Sequence, residues 1–298
     1  MSDGAPGGLP GGLGTTVIGP ASFAWGSRTY VMGILNVTPD SFSGDGLLGS
    51  SPSGDPVEAS VALASAMAEA GADLLDIGGE STRPGHIAVA TEEEAARVVP
   101  VIRAIRAALP GMPVSVDTTK PAVAEAALDA GAHLLNDVWG VAADDGLLRL
   151  AAERGVPMVL MHNRAEARYT TLLPEVVADL QGAIERALRC GVAWEDIIVD
   201  PGFGFGKTAE HNVALLRDLG SLAILGRPIL LGTSRKSTLG RVLDLPADQR
   251  LEATLATTAL AIASGVDIVR VHDVRENVRV ARMADAVVRG TWPPEDAG

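Results

Sequence analysis

One junction recurs along this chain and leaves few folds open to it. An alanine-rich helical run closes with a glycine and a small residue, and a short apolar strand follows at once. It is seen as EAGADLLDIGG, DAGAHLLNDV, ERGVPMVLMH, RCGVAWEDIIVD and ASGVDIVRVHD. Gly71, Gly131, Gly155, Gly191 and Gly265 stand where a helix end calls for a left-handed residue, a conformation that costs glycine no Cβ clash. The strands read as unbroken hydrophobic runs, as parallel strands covered on both faces do. Three more apolar runs, at 30–37 (YVMGILNV), 114–117 (VSVD) and 228–234 (PILLGTS), bring the count to eight. Helices are predicted between them, among others over 56–70, 92–108, 174–190 and 275–288. Eight strand-helix units predict an α/β fold, a single (β/α)8 TIM barrel with its active site at the C-terminal ends of the strands. A doubly wound sheet is the alternative, but it carries a nucleotide fingerprint after its first strand, and NVTPDSF is not one.

Composition narrows the partners. A formal charge of −13 excludes nucleic acid or an anionic membrane as the main partner, since both require a basic face. The single cysteine, Cys190, permits no intrachain disulfide and points to a reducing, cytoplasmic setting. Residues 1–22, rich in Gly and Pro and without a basic or apolar signal, are read as a flexible tail, and 23–298 as the barrel domain. The apolar stretch TLATTALAIASG lies between Glu252 and Asp267 and is too short to span a bilayer.

Polar residues gather where strands end: Asn36, Glu80 to Arg83, Asp117, Asn136, His162, Asp200, Ser234 to Lys236, and Arg270 with His272 and Asp273. A helix cap or a surface ion pair explains any one of them. Caps do not explain Lys236, Arg270 and His272 together. Of the three lysines, Lys236 is the expected site residue, while Lys120 and Lys207 are expected to face water. His133 begins its strand and belongs to the opposite end. His162 and His272, without close carboxylate partners, make a weak zinc site. The segment GFGFGKT fails the P-loop spacing, because Pro201 stands where its first glycine is needed. A pocket that mixes Asp117, Asn136 and Asp200 with Arg83, Arg235, Lys236 and Arg270 suits a ligand with a flat, donor-rich edge and an anionic tail. A pterin or a guanine has such an edge, which a carboxylate accepts as a bidentate pair.

The segments MGILNVTPDSFSGDG, LLDIGGESTRPG, VSVDTTK, LLNDV, VLMH, DPGFGFGKTAEHN, GTSRKS and IVRVHDV, in this order from about residue 31 to 286, resemble the dihydropteroate synthase family. The resemblance implies a folate-pathway transferase, usually a homodimer, and a target of sulfonamides. Such an enzyme joins 6-hydroxymethyl-7,8-dihydropterin pyrophosphate to 4-aminobenzoate with release of pyrophosphate. By the same resemblance Asp117, Asn136, Asp200 and Lys236 hold the pterin, with Met161 and Arg235 also at the substrates. Asn36 is the Mg²⁺ ligand and Asp40 stands with it among the catalytic groups. Arg270 and His272 form the anion site. Thr82, Arg83, Pro84, Phe205, Ser234 and Lys236 form the aminobenzoate pocket. The Gly, Ser and Pro content of residues 41–56 predicts a loop that orders only when pyrophosphate and Mg²⁺ are bound. Trp139, Asn163 and Thr238 depart from the usual family residues and are expected to reshape the aminobenzoate side. Two other readings are a methyltetrahydrofolate-dependent methyltransferase and a non-catalytic pterin-binding paralogue. The first should lack the cationic SRK and RVHD groups, and the intact NVTPDSF, STRPG and SRK segments oppose the second.

Overall fold

The structure, a computed structural model, describes residues 12–38, 55–80, 89–140 and 144–291. Asp40, Thr82, Arg83, Pro84 and nearly all of the loop expected over 41–56 lie outside the described residues. Two short strands, β1 (Thr15–Ile18) and β2 (Ala21–Ala24), pair as an antiparallel hairpin. Eight parallel strands follow: β3 (Tyr30–Asn36), β4 (Leu74–Gly78), β5 (Val114–Asp117), β6 (Leu134–Asp137), β7 (Met158–Met161), β8 (Ile197–Asp200), β9 (Leu230–Leu231) and β10 (Ile268–Val271). They run side by side in the order β8 to β3 and then β10 and β9. A parallel bridge from Val199 to Ile229 joins β8 to β9 and closes the barrel. Strand β9 is shorter than the 228–234 expected, because only Leu230 and Leu231 keep ladder geometry beside β10. Helices at Pro56–Glu69, Thr91–Ala108, Pro121–Asp129, Leu172–Cys190 and Val274–Val288 fall within two residues of the predicted spans where a span was drawn. All five junction glycines have positive φ, from 60° at Gly155 to 107° at Gly131, the conformation for which glycine was needed there.

Within the 1–22 span expected as a tail lie β1 and the start of β2, and this hairpin is part of the barrel. Ile18, Phe23 and Trp25 are at most 6% exposed and pack under Met32, Leu74, Leu134, Val159, Ile198, Leu230 and Ile268. The Phe23, Trp25 and Tyr30 rings lie 4.7 to 5.7 Å apart, and Trp25 Nε1 donates to Thr16 Oγ1 at 2.9 Å. The hairpin plugs the N-terminal mouth with apolar surface and leaves the other mouth to the polar residues. A second apolar cluster, between the outer faces of the strands and the helices, forms the larger core.

Candidate active site

Alternation along a strand explains how the site is made. Residues two apart share a face, so the residue two after each apolar member of the plugged layer also points into the barrel. That step leads from Leu74 to Asp76, from Leu134 to Asn136, from Ile198 to Asp200 and from Ile268 to Arg270. The barrel interior thus turns from hydrocarbon to charge within one strand repeat. Asp76 was missed in the sequence. Its signal was this two-residue step in LLDIG, where Asp76 looks like one more member of an apolar run.

These inward groups form one network. Arg270 Nε donates to Asp76 Oδ2 at 2.6 Å and Arg270 Nη2 to Asp117 Oδ2 at 2.7 Å. Asn136 Nδ2 donates to Asp76 Oδ2 at 3.0 Å. Asp76 Oδ1 and Asp117 Oδ1 are buried without a hydrogen-bond partner, a costly state that a ligand donor would relieve. Burial pushes the Asp117 carboxyl up to about 7; the Arg270 charge opposes this, and Asp76, Glu94 and Asp137 reinforce it.

Across the mouth, Asp200 is 6% exposed, and its Oδ1 accepts from Gly202 N–H at 2.7 Å. Burial raises its pKa, opposed chiefly by Lys236. Lys236 donates to the Phe203 carbonyl and lies 4.4 Å from the centre of the Phe205 ring. Burial lowers its amino group to about 8, against the pull of Asp200. Three glycines with positive φ, at 202, 204 and 206, let the chain double back in this small space. A Cβ on Gly202 would lie 1.8 Å from the His162 carbonyl oxygen, which no side-chain adjustment relieves. Gly202→Ala is therefore expected to destabilise the protein by about 3 kcal/mol or more through clash and left-handed strain together. Chemical denaturation measures it, and an unchanged midpoint would contradict this view of the loop.

Ser234 is 5% exposed; its Oγ lies 2.9 Å from His272 Nδ1 and accepts from His272 N–H at 3.1 Å. Met161, 2% exposed, sits in register with Asp200. Asn36 ends β3 in register with Gly78. A Cβ at Gly78 would lie 3.7 Å from Asn36 Oδ1 and 3.6 Å from Asp117 Cβ, so the bare glycine keeps open the gap between them. Arg235, expected at the substrates, is turned to its neighbours instead. It makes a two-pronged pair with Asp273 at 2.5 and 3.0 Å, and its left-handed backbone, φ 57°, is held by Arg250 and Thr254.

Three expectations change. Lys120 does not face water: it is paired with Glu80 and with Glu94, which is 1% exposed. Lys207 is half-buried, its amino group turned to the loop, and burial lowers that group to about 7. His162 has a carboxylate partner, Asp179 at 3.1 Å, yet no group of three or more His, Cys, Asp or Glu suited to a metal occurs among the described residues. Of the unusual residues, Thr238 is buried and its Oγ1 accepts from Asn212 at 2.8 Å, and Asn212 Oδ1 in turn accepts from Gly204 N–H. Trp139 and Asn163 line a groove of about 590 Å³ against the helix Leu172–Cys190.

Residues 32–272 match the family model of pterin binding enzymes. A dihydropteroate synthase of Clostridium beijerinckii is 48% identical over 91% of this chain and 99% of its own length. The chain is also similar to a solved dihydropteroate synthase of Clostridium difficile in the presence of pteroic acid, with TM-score 0.84 and 47% identity over 90% of this chain and 99% of that one. A Xanthomonas albilineans dihydropteroate synthase with 4-aminobenzoic acid gives TM-score 0.83 and 43% identity, covering 91% and 96%. The family model spans most of this chain and relatives near half identical cover nine tenths of it, so the chain belongs to the dihydropteroate synthase family of pterin-binding enzymes.

Proposed function

We propose that the polar mouth condenses 6-hydroxymethyl-7,8-dihydropterin pyrophosphate with 4-aminobenzoate, the pterin held by the inward layer and the aminobenzoate by the Gly202–Gly206 loop. The observation that carries this division is the pair of buried, unpartnered oxygens Asp76 Oδ1 and Asp117 Oδ1 facing a barrel whose other wall is Asp200. Carboxylates on both sides suit a flat heterocycle with N–H donors along its edges. Asp200 accepts the exocyclic amino group and ring N–H. Asn136, which can both donate and accept, and Asp117 take the opposite edge. Lys236 stands over Phe205, where an ammonium both meets the pterin and neutralises the benzoate carboxylate. Phe205 then forms a wall of the aminobenzoate pocket with Ser234, and Thr82, Arg83 and Pro84 are its remaining proposed residues. A sulfonamide of the same outline would compete there.

The bond between the pterin methylene carbon and pyrophosphate oxygen breaks, its electron pair leaving with pyrophosphate. The ring delocalises the resulting positive charge, the aminobenzoate nitrogen bonds to the methylene carbon, and that nitrogen gives up a proton to the released pyrophosphate or to water. The described residues supply orientation and charge: His272, oriented by Ser234, and Arg270, 17% exposed at its side chain, meet the leaving group. No protein nucleophile is required.

Magnesium fits the site. Mg²⁺ takes hard oxygen ligands and is often held by one or two protein oxygens with substrate phosphate, and the gap beside Gly78 brings Asn36 Oδ1 to the mouth. Asn36, with Asp40 on the following segment, would hold the ion, which when bound neutralises pyrophosphate and makes it a better leaving group. We also place the chain in the cytoplasm, on its lone cysteine; no helix among the described residues is long and apolar enough to cross a membrane. A homodimer is supported by Leu260, Met283 and Val287, 60 to 72% exposed on two packed helices. Sedimentation should show twice the chain mass, and a monomer after Met283→Glu; a monomeric wild type refutes this.

The methyltransferase reading falls away. The SRK and RVHD cations, all within or beside the mouth, serve no purpose in a methyl transfer. A paralogue without turnover is decided by one assay: pyrophosphate release with both substrates and Mg²⁺, compared with omission of either. Release only with both, matched by dihydropteroate in the mass spectrum, is the expected result. Binding of pterin with no release would leave a binding protein.

A further inference from the structure

We propose that Lys207 is a positioning residue for the aminobenzoate face: by holding the carbonyls of Gly202 and Phe205 it sets where the Phe205 ring stands. This rests on the reading of Phe205 as the wall of that pocket.

An ammonium has three donors and no acceptor, and here all three are placed. Lys207 Nζ lies 2.8 Å from His162 Nδ1, 3.1 Å from Gly202 O and 3.1 Å from Phe205 O. While Lys207 is charged its ammonium can only donate, so His162 Nδ1 then carries no proton. The His162 proton therefore sits on Nε2 and is donated to Asp179 Oδ2 at 3.1 Å. The imidazole is fully buried, and burial and the Lys207 charge lower its pKa to about 4, so it remains the neutral acceptor this chain of bonds requires. Arg164 fixes the far end, with Nε and Nη2 2.9 and 2.8 Å from Asp179 Oδ2. From the other side Tyr169 donates its hydroxyl to Gly206 O at 2.8 Å.

Gly202 is thus gripped on both sides, its N–H by Asp200 and its carbonyl, in the next peptide group, by Lys207. Phe205 N–H donates to that same carbonyl at 3.1 Å. Loss of the Lys207 side chain leaves the Gly202 carbonyl to Phe205 N–H alone, takes the lysine donor from the Phe205 carbonyl, and leaves the Asp200 end held. The pterin side stays in place while the Phe205 side loosens. Enclosing an ammonium is costly unless it is paired on every side, and a loop needing only apolar filling would be served by methionine.

The test is steady-state kinetics of Lys207→Met, of similar length without donors, beside Phe205→Ala. With Lys207→Met the KM for 4-aminobenzoate should rise about tenfold, with kcat at saturation and the Kd for pterin alone held within about threefold, the signature of lost uniform binding. Phe205→Ala should raise the same KM at least as much. If Phe205→Ala leaves that KM unmoved, the wall reading fails and the proposal falls with it. If Phe205→Ala raises it and Lys207→Met does not, the proposal alone is overturned. Equal losses of kcat, pterin affinity and aminobenzoate affinity in Lys207→Met would show a general structural role and also overturn it. Should Lys207→Met not fold, Lys207→Gln, which keeps two N–H donors, takes its place. A KM rise of about threefold with pterin binding intact supports the proposal, and an unchanged KM overturns it.

Discussion

Asp200→Asn is expected to lower kcat/KM for the pterin substrate about a hundredfold or more while leaving the protein folded. An amide can accept at one position only, so the paired contact to the exocyclic amino group and the ring N–H is lost. The amide nitrogen would also face a donor. The fold survives because Asp200 Oδ1 makes its loop contact with Gly202 N–H at 2.7 Å, and an asparagine oxygen can make the same one. Initial rates over a range of pterin pyrophosphate, with a denaturation curve beside them, separate the two effects. Unchanged kinetic constants would remove Asp200 from the site.

Arg270→Met should have the second large effect, and a different one from that expected of a simple anion ligand. In the sequence Arg270 reads as a cation for pyrophosphate, so its loss would touch only the phosphorylated ligand. In the structure it is the counter-charge of two buried carboxylates, Asp76 and Asp117. Removing one member of a buried ionic cluster costs about 3 to 5 kcal/mol, because the remaining charges are left without compensation. Arg270→Met should therefore lose that much stability and weaken pterin with or without its phosphates. The triple change Arg270→Met, Asp76→Asn and Asp117→Asn should recover much of the stability and none of the activity. A stable Arg270→Met that bound unphosphorylated pterin normally would return Arg270 to a purely anionic role.

Much of the barrel was legible because glycine and hydrophobic pattern are local signals. Each junction needs a residue with positive φ, and each strand needs an unbroken apolar run, so the eight units stand out in the chain. The hairpin at 15–24 was not legible. TTVI and ASFA are brief, and their worth lies in closing a mouth made by the eight barrel strands. The site residues at strand ends were legible as a set, since polar groups in that place exceed what helix capping needs. Asp76 and Lys207 were not. An aspartate inside LLDIG reads as a break in a core strand until its partner, 194 residues along the chain, is known to reach it. Lys207 reads as a surface lysine because its three acceptors are a histidine side chain and two carbonyls of its own loop, and loop carbonyls carry no mark in a sequence. Arg235 shows the converse. It lies in the SRK segment beside Lys236, but the left-handed turn at that position aims it at Asp273.

The central claim is that the inward layer is a pterin site with Asp200 as its paired acceptor. A crystal structure of this protein soaked with 6-hydroxymethylpterin tests it most directly. The pterin should lie within the barrel mouth, with its exocyclic amino group and ring N–H each about 2.7 to 2.9 Å from an Asp200 oxygen. Its opposite edge should face Asp117 and Asn136. A pterin turned so that this edge meets no carboxylate, or one seated in the groove beside Trp139 with the mouth left to solvent, would contradict the account.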